Sequence, residues 1–207
     1  MINLYHVPFT RAFRVIWVCE ELAIPYRLTP VDFSPEYRAS AEWRKLNPVG
    51  KVPVMTDGDL TMFESGAMVQ YVLDRYGNGR LQPEAGTPEH AIYLQWSWFA
   101  EATFSRPIGE TVNHRRAFAE PIQAVLDEMI ARARLALAAV DQALAGRPYL
   151  LGGEFSAADI MTGYTVMLAE RAIKTGLPER AADYWQRLQA RAAFKATKAA
   201  EQAMGKD

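Results

Sequence analysis

Apolar and polar positions change their spacing near residue 80, and the change divides the chain in two. Ahead of it, short alternating runs interleave with helical periodicity; beyond it only helical spacing is left. Ile2 to His6 reads as a short strand ended by Pro8. Thr10 stands where it can cap a helix over 11–22, in which Phe13, Ile16, Trp17 and the Cys19/Glu20 region recur at helical spacing. Ala23-Ile24-Pro25 stops that helix, and Tyr26 to Val31 reads as a second strand. A short polar helix is predicted over 36–46. Asp57-Gly58 between Val54-Met55-Thr56 and Asp59-Leu60-Thr61-Met62 signals a hairpin. Ser65 to Tyr76 is a helix closed by Gly77.

The first domain, 1–78, therefore has the order βαβαββα. The polar, Gly- and Pro-bearing stretch 79–87 reads as a linker. The second domain, 88–207, is all-α, with helices predicted at about 88–111, 119–145, 157–174 and 179–190 and a ragged one to 203.

Composition narrows the class. With 207 residues, half of them hydrophobic and 23% charged, the chain can bury two small cores. A net charge of −1 offers no electrostatic affinity for nucleic acid or anionic lipid. The single cysteine, Cys19, rules out an internal disulfide and a Cys-x-x-Cys centre, and fits a reducing compartment. The start Met1-Ile2-Asn3-Leu4-Tyr5-His6 lacks the features of a signal peptide, and no apolar run reaches membrane-spanning length. The expectation is a cytoplasmic protein. His6, His90 and His114 have no ligand-like spacing with one another or with Cys19, so no metal is expected.

Asn47-Pro48-Val49-Gly50-Lys51-Val52-Pro53-Val54 carries the most chemistry. Two prolines bracket a glycine and a lysine, as in a turn that delivers the chain to a sheet in one pose. Pro53 has no N–H and cannot sit mid-ladder, so it marks a strand start or a cis bond. An outward-facing Val52 backbone can pair with an extended peptide as an added strand does. Glu64-Ser65 then opens a helix, where N–H groups and a hydroxyl favour a carboxylate and the glutamate favours an ammonium group. Each half alone is ordinary turn or capping chemistry; the ordered pair describes a site for a small zwitterionic peptide.

Taken together, Pro8-Phe9-Thr10-Arg11-Ala12-Phe13-Arg14-Val15, the Asn-Pro-Val-Gly-Lys-Val-Pro turn, Glu64-Ser65-Gly66-Ala67 and Phe155-Ser156-Ala157-Ala158-Asp159-Ile160 resemble the cytosolic glutathione transferase family along the whole chain. The resemblance implies a thioredoxin-like first domain with Pro53 as its cis-proline, and glutathione as the bound co-substrate. It puts the γ-glutamyl end on Glu64 and Ser65, the cysteinyl backbone on Val52 and the glycyl carboxylate near Lys51, which as a lone turn residue is otherwise a solvated lysine. It implies a homodimer, with the first domain of one subunit against the helical domain of the other. The activity implied is attack of the glutathione thiolate on a hydrophobic electrophile. A glutathione-dependent isomerase or lyase, or a non-catalytic ligand-binding protein of the same fold, remains open.

Lowering a thiol pKa by about two units takes roughly 2.7 kcal/mol. One hydrogen bond to a charged acceptor supplies about 1.5–3 kcal/mol, so one hydroxyl at the start of the first helix suffices. Thr10 is the candidate donor, with a plain N-cap as its other reading. Tyr5 is the rival, with core packing as its other reading. Position 12, often serine in similar sequences, is Ala12. Cys19 lies inside the helix as packing rather than as a redox thiol.

In the family, the first helices of the second domain wall the electrophile pocket. Phe9, Phe104 and the Pro107 region are its candidates here, among the aromatics Trp96, Trp98, Phe99 and Phe104. His114-Arg115-Arg116 is expected in a loop between helices. Ser156-x-x-Asp159 reads as a capping box and not as a catalytic pair.

Overall fold

A computed structural model describes residues 1–204, and the chain divides into two compact units: Met1–Arg80 with the segment from Arg191 onward, and Leu81–Ala190. In the first unit, β1 (Ile2–His6) alternates strictly, with Ile2, Leu4 and His6 buried and Asn3 and Tyr5 half-buried. After it come α1 (Ala12–Leu22), β2 (Tyr26–Pro30), α2 (Pro35–Ala39), α3 (Ala41–Leu46), β3 (Val54–Asp57), β4 (Leu60–Phe63) and α4 (Ser65–Tyr76). The sheet order is β2-β1-β3-β4, with β2 parallel to β1 and both hairpin strands antiparallel to their neighbours. The order of elements is the predicted βαβαββα but for a divided second helix, and the arrangement is the thioredoxin-like one that the family resemblance implies.

The helix predicted over 36–46 is two. Ser40 adopts an extended backbone between α2 and α3, and its hydroxyl accepts the Trp43 N–H at 3.1 Å, starting a new helix instead of continuing the old one. The hairpin turn is Gly58-Asp59, since Asp57 still pairs with Leu60; Gly58, at φ 59°, supplies the positive dihedral of the turn's first position. Helix α1 ends at Ala23, in the left-handed conformation, whose N–H returns to the Cys19 and Glu20 carbonyls.

The second unit contains α5 (Pro88–Trp98), a π-helical segment (Phe99–Ser105), α6 (Arg106–Ala117), α7 (Gln123–Ala143), α8 (Ala157–Ala172) and α9 (Glu179–Ala190). The single helix predicted over 88–111 is thus interrupted and runs on to Ala117. Pro107 has no N–H to return to Thr103, and the turns ahead of it widen to π geometry. The buried Thr165 hydroxyl donates to the Ala100 carbonyl, at 3.2 Å, inside that segment. His114, Arg115 and Arg116 therefore occupy the last turn of α6 and not a loop, where positive charge suits the helix dipole. Helix α8 is buried along most of its length and forms the axis of the unit.

The final helix, α10 (Ala192–Met204), departs from the expected 88–207 domain. It belongs with the first unit. Phe194 packs its ring on Phe13 and Trp17 of α1 at centroid distances of 5.4 and 5.0 Å. Arg191 grips Glu21 through two bonds of 2.6 and 2.8 Å. An apolar stripe shows that a helix is buried, but not which core it is buried against.

Candidate functional site

Strand register brings the candidate residues to one end of the sheet. Tyr5 lies opposite Val54, and Val54 opposite Phe63. Extending both ladders past these last pairs carries Val7, Val52 and Ser65 to the same end. The β1–α1 junction, the Asn47–Pro53 turn and the N-terminus of α4 therefore converge there.

The turn is built around Asn47, which is 2% exposed. Its Nδ2 donates to the Lys51 carbonyl at 2.8 Å, its Oδ1 accepts the Val49 N–H at 3.1 Å, and its own carbonyl accepts the Gly50 N–H at 2.9 Å. Gly50 sits at φ 63°, and a Cβ on it would lie 2.6 Å from the Arg38 carbonyl oxygen, so this position accepts only glycine. The Val52–Pro53 bond is cis. Among the described residues, the Val52 N–H and C=O pair with no other backbone group, an exception that a ligand strand can remove. The Lys51 side chain is exposed, with no ion-pair partner among the described residues.

At the start of α4, Glu64 is not a conventional cap. It is exposed, holds φ 76° and ψ 103°, and makes no side-chain bond to the helix. The N–H groups of Ser65, Gly66 and Ala67 have no partner among the described residues, because the first helical bond runs from Met68 back to Glu64. Ser65 is buried, and its Oγ accepts a bond of 3.3 Å from Nη1 of Arg14, a guanidinium with no exposed surface. A buried positive charge thus adds to the helix dipole behind three open N–H donors.

At the β1–α1 junction, Thr10 does not cap α1. Its Oγ1 donates to the Val7 carbonyl at 2.7 Å; the N-cap is Arg11, which makes no side-chain cap bond. The N–H groups of Thr10 and Ala12 have no partner among the described residues. Tyr5 lies on the opposite side of β1 from His6 and meets Trp43 of α3 edge-on at 6.0 Å, which is the packing alternative. Phe9 is 67% exposed and left-handed at φ 64°. Cys19 is buried in α1, and burial pushes its thiol up to about 12. In the second unit, Phe104 is fully enclosed, whereas Trp98 is exposed and Trp96 stacks edge-on against Phe99 at 5.1 Å. Phe104 therefore offers no surface to a ligand in this structure.

Ser156 and Asp159 form the expected capping box and more. The Asp159 carboxylate accepts the Ser156 N–H at 2.8 Å, the Ser156 hydroxyl and the Leu150 N–H at 3.0 Å, and the Tyr184 hydroxyl at 3.0 Å. Burial pushes the Asp159 carboxyl up, and these donors oppose it. Arg14, Asn47 and Glu201 are the structurally important residues that sequence reasoning did not single out. Arg14 carried a visible signal, a charge inside the apolar run Phe13-Val15-Ile16-Trp17, and Asn47 carried one in its turn-forming type, whereas Glu201 carried none.

The corner can do a specific thing. It can take an extended peptide against Val52, a carboxylate at the start of α4 and an ammonium group at Glu64. Comparison with known proteins shows the family. The family model described as "Glutathione S-transferase, N-terminal domain" matches residues 1–74, and the one described as "Glutathione S-transferase, C-terminal domain" matches residues 123–196. Glutathione S-transferase 4 of Zea mays is 32% identical over 195 residues, covering 87% of this chain and 83% of its own. The disulfide-bond oxidoreductase YfcG of Escherichia coli is 26% identical over 167 residues, covering 77% and 76%. The glutathione transferase URE2P8 of Phanerochaete chrysosporium, solved with oxidized glutathione, superposes with a TM-score of 0.90 at 25% identity over 100% of this chain and 97% of that one.

Proposed function

The chain belongs to the cytosolic glutathione transferase family, and we propose that it binds glutathione at this corner and activates its thiol for attack on a hydrophobic electrophile. The observation that carries the reading is the register that sets the unpaired Val52 backbone at the same sheet end as the open N-terminus of α4. The γ-glutamyl carboxylate meets the N–H groups of Ser65, Gly66 and Ala67 and the Ser65 hydroxyl, and its ammonium group meets Glu64. The cysteinyl backbone pairs with Val52. The glycyl carboxylate reaches toward Lys51, a partly solvated contact of small worth.

This pose turns the thiol toward the β1–α1 junction. There Thr10 serves as donor only after its hydroxyl leaves Val7, while the N–H groups of Thr10 and Ala12 already stand open. Tyr5, held against Trp43, is the weaker candidate. The thiolate attacks an electrophilic carbon; the C–S bond forms as the bond to the leaving group breaks with its electron pair, and the thiol proton passes to solvent. The exposed Phe9 ring gives the first unit an apolar surface for the electrophile. Cys19, buried and pushed up to about 12, is no protein nucleophile, so any disulfide exchange here runs through glutathione's own sulfur.

A carrier without turnover is the second reading, favoured by the engaged Thr10 hydroxyl. Retention on immobilised glutathione, then absorbance titration of the bound thiol and conjugation of a halonitroaromatic, separates the two. No retention overturns both; retention with an unshifted thiol and no conjugate selects the carrier. Family membership further supports a homodimer in the cytoplasm, which sedimentation and fractionation test.

A further inference from the structure

We infer that Glu201 of the last helix is a positioning residue for the thiol end of the site, an inference that rests on the glutathione reading. Phe194, Thr197 and Glu201 follow one another at helical spacing along the buried face of α10. Phe194 and the Arg191–Glu21 pair fix that helix along α1, so the reach of Glu201 is set by packing rather than by its own rotamer.

The Glu201 side chain is only 7% exposed, and it ends at the β1–α1 junction. Its Oε1 accepts the Phe9 N–H at 3.2 Å and lies 3.3 Å from Nε2 of His6, which has no exposed surface. The two contacts grasp the last residue of β1 and the residue immediately before Thr10. Phe9 is also the residue that takes the left-handed dihedral, φ 64°, by which the chain turns from the strand into α1. A side chain of this kind does not rest there without an anchor. A buried carboxylate is itself costly unless its lone pairs are filled, and the Phe9 N–H fills one of them. The aim of the Thr10 hydroxyl and of the Thr10 and Ala12 N–H groups thus depends on a carboxylate 192 residues beyond Phe9.

The substitutions E201A and E201M remove the acceptor, the second keeping the side-chain volume, and E201Q restores an acceptor without the charge. Amide hydrogen exchange is read first, without glutathione. Phe9 should exchange about tenfold faster or more in E201A and E201M and regain protection in E201Q. The bound-thiol titration is read second. Its midpoint should rise by about one unit in the acceptor-less variants, tenfold less thiolate at a given pH, with glutathione Kd within about threefold of the parent. A merely structural role lowers the unfolding temperature without moving the thiol midpoint. Unchanged Phe9 exchange in whichever acceptor-less variant folds overturns the inference, as does an unmoved midpoint. A parent protein that fails to bind glutathione sinks the functional reading instead, and Phe9 exchange still decides whether the clamp exists.

Discussion

Asn47 offers the sharpest test of the idea that the turn, and not any one contacting side chain, holds the peptide edge in place. Asn47→Ala removes the 2.8 Å bond to the Lys51 carbonyl and the 3.1 Å bond from the Val49 N–H at a position 2% exposed. Each bond contributes about 1 kcal/mol net, and leaving its partner partly buried without a replacement costs up to a similar amount, so the loss is about 2–4 kcal/mol. In urea unfolding this appears as a lower midpoint with an unchanged slope. The turn also fixes Lys51 and Val52, so ordering them again on binding costs about 1.4 kcal/mol, or tenfold in Kd, in protein that is still fully folded. Calorimetry with reduced glutathione below the unfolding transition reads that second effect separately. Asn47→Asp sharpens the test, because it keeps the acceptor for Val49 and sets a carboxylate oxygen against the Lys51 carbonyl. It should bind glutathione no better than the alanine variant. An Asn47→Ala protein destabilised as stated but with parental Kd would refute the coupling between turn and site.

The other predictions concern the frame around the site. Asp159→Ala strips the acceptor from Ser156, Leu150 and Tyr184 at once and should cost about 3–5 kcal/mol in equilibrium unfolding, beyond the usual value of a cap, without changing turnover per folded molecule. Bonds donated by the Tyr76 and Tyr71 hydroxyls hold the Asp57 carboxyl below its usual range against the effect of burial. A depressed carboxyl contributes stability that is present above its unfolded pKa, about 4, and lost as pH falls through the lower folded value. Asp57→Asn should therefore flatten the acid limb of a stability–pH curve below about pH 4, and an unchanged limb would contradict the assignment. Cys19, pushed up to about 12 and buried, should not react with an aromatic disulfide reagent in native protein at neutral pH and should titrate as one thiol in urea.

Much of the fold is written in local pattern. The alternation of Ile2, Leu4 and His6, the apolar face of α1 and the Asp-Gly hairpin all name their own elements, because each reports a period that one element imposes. The misreadings arise where a residue serves two neighbours. Ser40 ends one helix and caps the next, and Pro107 perturbs turns that precede it. The place of α10 is a different case. Its amphipathic face reads as helical, but the core that receives Phe194 is supplied by Phe13 and Trp17 at the other end of the chain.

The same distinction separates what is held at the site from what is done to it. The peptide edge is a property of backbone, and the residues that shape it, Asn47, Gly50 and Pro53, lie within a few positions of Val52 and announce themselves by type. In the proposed function the thiol end rests on the Thr10 hydroxyl or on the backbone N–H groups beside it. Thr10 faces Val7 in this state, so activation by its hydroxyl requires one bond to be exchanged for another of similar strength, with the thiolate favoured because hydrogen bonds to charge are the stronger kind. The open N–H groups of Thr10 and Ala12 need no such exchange. A Thr10→Val variant that keeps a lowered thiol pKa would assign the activation to the backbone at the start of α1, and the direction of that backbone is what Phe9 and Glu201 set.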